Sequence, residues 1–587
     1  MKTRIMTFSL IGTVLLSAMS CTGFLDRTPY DEVNSTAVYN SAALAEDAVI
    51  GVYSNARYDY VTTDANVLWD AYSSTLDPNT LINYSNYPLL MGSVRPSHSV
   101  FLNRWKRLYE TINRANDVIG NIHSVPDMTP ETKACRLAEC KFHRAFAYYI
   151  LNCVWQGVPV YLENLAPSQY MKPRTSAEGV WQVIIEDCTD CINTESMPMK
   201  YTKASSDNGR ITKAAAYFLR AKAYMWLQEW NLAEQDLAEI TKAGYALDNV
   251  SYAQLFTEGN EKSDEMIYFI NMTQDEGNGS IYPYIYGNSK TAGGGWNRFF
   301  INTSFADSFE WADGRAFSYE DVIPGYSNMS PKQRSVFFLR DNMTEAEIAT
   351  MTSYGADMSK YLPTGNEERI REAFIGRDPR LDAIAITPYS VYKGGNPDEG
   401  NFICRYPYRQ TDNSDLKTQY NQYNQYNLYC VRKFVHTGRE YLYPAYSPID
   451  VPIFRYADVL LCLAECINEQ GGRLQEAAGY VNQIRQRAGV ALLNSGEDNL
   501  SVTTVDQLRT RIQKEKCWEM ACENQLYFEE LRWGTWKDSK FTKAKGLTQM
   551  WGDPVYEYKW DNSYLKWPIP SSEREKNKNL TQNEGWI

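Results

Sequence analysis

Two clusters of aromatic and polar residues carry the chemistry this chain can offer. The first is Trp69, Asp70, Tyr72, Asp77 and Asn79, with Asn66 and Tyr84 at its ends. The second is Tyr282, Tyr284 and Tyr286, the run Gly293–Gly295, then Trp296, Asn297 and Arg298. Trp311 follows, with Asp313 and Arg315. Indole and phenol rings offer broad apolar faces with polar edges, and Asp, Asn and Arg add hydrogen-bonding groups beside them. Glycines ahead of Trp296 would let backbone approach a ligand closely. This is the chemistry of holding a molecule by a flat face and a polar rim. Trp69, Trp296 and Trp311 are the expected stackers, with Tyr72 and Tyr284 as further ring faces; Asp70, Asp77, Asn79 and Arg298 are the expected rim.

Catalytic chemistry has little to stand on. The chain of 587 residues has 43 Tyr and 15 Trp but only 4 His. Few histidines make zinc or imidazole acid–base chemistry a poor fit. No G-x-S-x-G, H-E-x-x-H or G-x-x-x-x-G-K-[ST] occurs. Asp307 and Glu310 could be drawn as a carboxylate pair, but among 71 acidic residues some pair always fits such a spacing. His143 sits in a helical pattern and reads as a satisfied packing residue. A net charge of -12 argues against nucleic acid as a partner. No metal or cofactor is expected.

The N-terminus reads as an address. Lys2 and Arg4 precede an apolar run from Ile5 to Met19. It is shorter than the roughly 20 residues of a membrane span and fits a signal-peptide core. Ser17, Ala18 and Ser20 lead into Cys21, which resembles a bacterial lipobox with Ala18 in place of the usual Leu. Cys21 is the expected site of lipidation. The other cysteines read as small buried residues. Cys462 and Cys466 lie four apart in a helical pattern, roughly 5–6 Å between Cβ atoms against about 3.8 Å in a disulfide. Cys188 and Cys191 form a C-x-x-C without a second pair or His at zinc spacing.

The elements that must position the two clusters are paired helices. Apolar periodicity predicts helices over Ala42–Tyr53, Trp105–Ile122, Ala134–Val154, a segment opening at Ser176, Thr212–Gln228 and Val505–Arg532. Trp230, Ala233 and Leu237 have the spacing of the second helix of a tetratricopeptide repeat, where a small residue lets two helices approach. Leu474, Ala477 and Val481 repeat it after Tyr456–Gln470. Trp105, Trp155, Trp226, Trp230, Trp518 and Trp533 fall in these helices and read as core. Residues 58–99 and 245–445 are rich in Gly, Pro, Asn, Tyr and Trp and read as loops, short strands and small helices over the scaffold. The Gln-Tyr-Asn repeat at Gln419–Asn427 reads as a surface insertion. The expected fold is mainly α: about four tetratricopeptide-like helix pairs, with loop-rich, small-strand insertions forming the ligand face.

Several segments then resemble the SusD/RagB family of outer-membrane lipoproteins. Phe24-Leu25-Asp26 with Pro29 is similar to its start. Leu137–Ala145 resembles its "GEAKFLRA" helix, followed by Gly157-Val158-Pro159-Val160. Gly376–Leu381 matches its "RDPRL" turn, and Pro452–Leu461 with Ala464-Glu465 its "RYADVLL…AEA" helix. Asn482, Ile484, Arg485, Arg487, Ala488 and Gly489 follow its "N-x-I-R-x-R-A-G". Arg532-Trp533-Gly534 and the tail from Pro568 to Trp586 complete a match that runs nearly end to end. Cys140 and Cys466 stand where the family usually has Ala.

The resemblance implies a lipid-anchored protein at the exterior of the outer membrane that is not an enzyme. It would bind an oligosaccharide and deliver it to a SusC-like TonB-dependent transporter. Sugar rings have a C–H face and a hydroxyl rim, so the two aromatic clusters are the expected contacts, and the family's ligands sit among the early loop and the middle region. The matched motifs belong to the scaffold, so no sugar-contacting residue transfers by motif. A peptide- or protein-binding relative and a lipid-anchored glycosidase are the alternatives. The expected division is a signal peptide over 1–20, a helical region over 21–245, a ligand-binding insertion over 246–445 and a helical region over 446–587.

Overall fold

The computed structural model describes residues 38–60, 68–79, 86–92, 94–275, 277–291, 294–393, 400–418, 426–435 and 446–586. Cys21, the 24–29 start, Asn66, Tyr84, Gly293 and most of the Gln-Tyr-Asn repeat lie outside them.

Eight helices form four consecutive pairs. They are α1 (Ala42–Tyr60), α2 (Ser99–Asn121), α3 (Pro130–Trp155), α4 (Ala177–Asn193), α5 (Lys213–Trp226), α6 (Trp230–Thr241), α7 (Tyr456–Gln470) and α8 (Leu474–Ala488). Each packs on the next, and α6 packs on α7 although more than two hundred residues separate them. Local chemistry sets the ends. Thr129, Ser176 and Thr212 cap α3, α4 and α5 by accepting backbone N–H bonds from Thr132, Gly179 and Ala215. Gly489 ends α8 in the left-handed conformation. The tetratricopeptide spacing works as expected: Ala233 and Leu237 in α6, and Ala477 and Val481 in α8, are fully buried.

The expected single helix over Val505–Arg532 is corrected. It is two helices, α9 (Val505–Met520) and α10 (Leu526–Arg532). Cys522 and Asn524 take positive φ between them, which turns Glu523 inward toward Arg455 and Lys433.

The insertion between α6 and α7 is built from short pieces. Strand β1 (Leu76–Pro78) from the early loop pairs antiparallel with β2 (Phe299–Ile301). That strand pairs with β4 (Tyr429–Val431), and β4 with β3 (Ala385–Ile386). Met266–Ile270 pairs with Val451–Arg455, and the latter leads the chain back into α7. One main core runs from Ala56 to Leu580, with a small satellite under α1 and α2. Among the described residues no helix is long and apolar enough to cross a membrane, and the eleven described cysteines are free thiols.

The motif residues meet in a buried ion network. Arg455 is fully buried and bonds Glu523 at 2.7 Å, Glu519 at 3.1 Å, and Glu265. Arg487 bonds Glu265 at 3.1 Å and also Glu519. Arg380, from the "RDPRL" turn, bonds Asp378 at 2.6 Å and Glu515 at 2.7 Å, and Arg485 reaches Glu515 at 3.0 Å. These contacts fasten the insertion to α7, α8 and α9.

His143 packs as expected, with its ring edge-on to Tyr53 at 4.2 Å, but it is not satisfied. Neither ring nitrogen has a hydrogen-bond partner, and burial lowers its pKa to about 3. An unpaired buried imidazole costs folding free energy. His143→Phe is therefore expected to stabilise the protein by about 1 kcal/mol, read as a rise in denaturation midpoint. A fall of similar size would show a hydrogen bond there.

Candidate functional site

The first aromatic cluster lies inside the protein, which corrects its expected role. Trp69 is 2% exposed and packs between Phe528 and Trp567, with the Arg104 guanidinium 4.8 Å from its ring centre. Tyr72 packs against Tyr87 and Tyr527, and its carbonyl accepts the Trp536 indole N–H. Asp77 accepts bonds from Asn302 at 2.8 Å, Tyr558 at 2.9 Å and Lys540 at 3.0 Å. Asp70 accepts the backbone N–H groups of Asn524 and Leu526, so it caps the entry to α10. None of these four presents a face or free rim to a ligand. Trp311 is also interior: its indole N–H donates to Asp321 at 3.0 Å, and its backbone bridges to Arg377. It holds the turn that carries Arg380.

Burial makes these carboxyls a pH record. Desolvation pushes Asp70, Asp307, Asp450 and Glu530 up to about 7 each. Unfolded carboxyls titrate near 4, so between those values the folded chain holds more protons. Stability then falls as pH rises through that window. His143 opposes this: its lowered pKa withdraws stability as pH falls below about 6.5. Four groups outweigh one, so the midpoint of thermal unfolding is expected to be at least about 2 °C higher near pH 5 than near pH 8. A higher midpoint at the alkaline end would contradict the burial of these acids.

The second cluster is at the surface and is organised. All 15 tryptophans are described, and Trp296, at 48% exposure, is the only exposed one. It stands on a folded-back loop. The one-turn helix Tyr282–Tyr286 starts it, with Tyr282 and Tyr286 buried and Tyr284 half-buried. The chain returns alongside: the Trp296 N–H donates to the Tyr284 carbonyl at 2.9 Å, and the Arg298 N–H to that of Ile285 at 2.8 Å. A Cβ on Gly295 would lie 2.3 Å from the Gly287 carbonyl oxygen. Gly295 therefore serves backbone-to-backbone packing rather than the expected approach to a ligand, while Gly294 supplies a left-handed turn at φ 84°.

The side chains form a clamp. The Tyr284 and Trp296 ring centres are 4.7 Å apart at 45°. The Arg298 guanidinium carbon lies 4.3 Å from the Trp296 ring centre. Such ring and cation–π contacts contribute about 0.5–1 kcal/mol each at a surface. Asn79 enters here in a different role from the expected one. Its side-chain amide donates to the Asn297 carbonyl at 2.9 Å, and its backbone N–H to that of Arg298 at 2.8 Å. Asn79 positions the clamp from beneath, a role its place beside aromatic residues could not signal. Asn297 has φ of 45° and is buried, which aims its two neighbours outward. The arrangement offers two inclined rings and a guanidinium edge, fit for a flat ligand face with hydroxyls around it. Among the described residues no three His, Cys, Asp or Glu converge on a metal position.

Paired helices carrying a surface aromatic clamp on an insertion define a helical-repeat binding scaffold. The chain belongs to the SusD family: the family profile matches residues 259–586. A related profile, described as starch-binding associating with outer membrane, matches residues 23–225. A SusD-like protein of Formosa agariphila is 24% identical, with 97% of each chain covered. A SusD-like protein of Bacteroides fragilis shares the fold at TM-score 0.70 and 20% identity, covering 95% of this chain and 100% of that one. A SusD-like carbohydrate binding protein, also from Bacteroides fragilis, matches at TM-score 0.68 and 20% identity, covering 93% and 100%.

Proposed function

We propose that this protein is a cell-surface lipoprotein that binds an oligosaccharide and passes it to a SusC-like TonB-dependent transporter. The observation that carries the reading is the Tyr284–Trp296–Arg298 clamp, held rigid by its backbone bonds and exposed on the insertion. Family membership supports it, and a protein sharing the fold is a SusD-like carbohydrate binding protein. The protein binds and releases its ligand without chemistry, and lipidation at Cys21 tethers it outside the outer membrane. The test is affinity electrophoresis against a panel of polysaccharides, with a reducing-sugar assay on the same mixtures. Retardation by one glycan with no sugar release is expected. Sustained release would replace binding by hydrolysis. Co-purification of an outer-membrane transporter tests delivery, and loss of membrane retention in Cys21→Ala tests the anchor.

A further inference from the structure

A cavity lies away from the clamp, in different elements. It has a volume of about 480 Å³ and opens between α2, the segment Pro159–Met171 and the C-terminal stretch Glu573–Leu580. Three half-buried tyrosine rings stand in a row along it, backed by the buried ring of Trp105. Trp105 and Tyr109 are 4.9 Å apart, Tyr109 and Tyr161 5.8 Å, and Tyr161 and Tyr170 5.3 Å, centre to centre. The hydroxyls are engaged: Tyr109 donates to the Pro159 carbonyl at 2.7 Å, Tyr161 to that of Tyr170 at 2.5 Å, and Tyr170 accepts the Leu165 N–H. The rings are thus fixed at their polar ends.

The backbone of that wall is also engaged. The carbonyls of Val160 and Tyr161 accept bonds from Lys172 and Asn116, and that of Met171 accepts one from Asn579. Pro159 and Pro167 have no N–H to offer. An extended peptide recognised through its main chain finds no ladder here. Hydrogen bonding comes instead from rim side chains, Asn113, Lys106 and Glu110, with Glu573 and Lys576 opposite. Lys106 and Lys576 balance Glu110 and Glu573, so the rim has no net sign, and Glu573 and Lys576 pair at 3.0 Å. An uncharged ligand with an apolar ring face and hydroxyls fits that combination, and the volume is that of a small-ligand site.

We propose that this cavity is a second carbohydrate subsite, taking a short neutral saccharide against the half-buried Tyr109, Tyr161 and Tyr170 rings, with buried Trp105 backing the row. It stands independently of the clamp. The test is saturation-transfer NMR on the full chain with maltose, cellobiose and laminaribiose as probes. Four proteins are compared: wild type, Trp296→Ala, Asn113→Trp and the double variant. Asn113 is exposed on α2, so a bulky residue there fills the mouth without entering the core; Lys106→Trp is the second filler, and thermal unfolding checks both. At least one disaccharide is expected to keep its transfer in Trp296→Ala and to lose it about fivefold or more in the double variant. Complete loss in Trp296→Ala alone overturns the second subsite and leaves the clamp standing. Transfer unchanged by either filler in the Trp296→Ala background also overturns it, as does binding of triproline but of no disaccharide.

Discussion

Trp296→Ala is expected to weaken glycan binding at least tenfold, and up to about a hundredfold, while the protein stays folded. A tenfold change is about 1.4 kcal/mol, the scale of one stacking face lost from a shallow, preorganised site. The fold is spared because the side chain is half in solvent, and the bonds that shape the loop run through backbone atoms that alanine retains. Arg298→Ala should cost less, since the guanidinium supplies one rim and a weak contact to the indole. Trp69→Ala is the opposite control: it empties a space packed by Phe528 and Trp567 and should cost about 3–5 kcal/mol of stability. Calorimetry with the glycan that retards the protein in gels reads affinity, and denaturant unfolding reads stability. Wild-type affinity in Trp296→Ala would remove the clamp as the glycan site.

The two aromatic clusters looked alike in the sequence because each interleaves Trp, Tyr, Asp and Asn. Their difference lies in partners hundreds of residues away. Trp69 is enclosed by Phe528 and Trp567, Asp77 by Lys540 and Tyr558, and Asp70 by Asn524. No local pattern announces that the C-terminal segment returns to cover the early loop. The helix pairs were legible because a 3.6-residue period, a capping residue and a small residue at Ala233 or Ala477 are local causes with local effects. Trp296 was legible for a related reason. Glycines before it and a short aromatic helix ahead of it mark a loop folding back, where a large ring has little to pack against. Asn79 and Asn297 were read by residue type, yet their backbone placement decided their work.

Scaffold and insertion are joined by the ion network, and Arg455→Ala should show it. The Arg455 guanidinium is fully buried and serves Glu265, Glu519 and Glu523 at once. Burial alone would raise the Glu519 carboxyl, but Arg487, Arg455 and Arg380 hold it at about 2. Removing one cation leaves buried carboxylates facing one another, a defect that costs about 3–5 kcal/mol. Arg455→Lys should recover only part of this, because one ammonium cannot replace a fork bonding three carboxylates. Arg315→Ala, which breaks the exposed, solvent-screened pair with Asp313, should leave the unfolding midpoint unchanged. The damage should also travel. Glu523 adjoins Asn524, whose side-chain amide donates to the Tyr282 hydroxyl at 2.7 Å. Tyr282 anchors the turn that presents Tyr284 to Trp296. Arg455→Ala should therefore lose glycan affinity as well as stability, whereas Trp296→Ala loses affinity alone. Measuring both quantities on both variants separates the support of the clamp from the clamp itself. An Arg455→Ala protein with wild-type stability would show that the motif arginines do not hold the insertion in place.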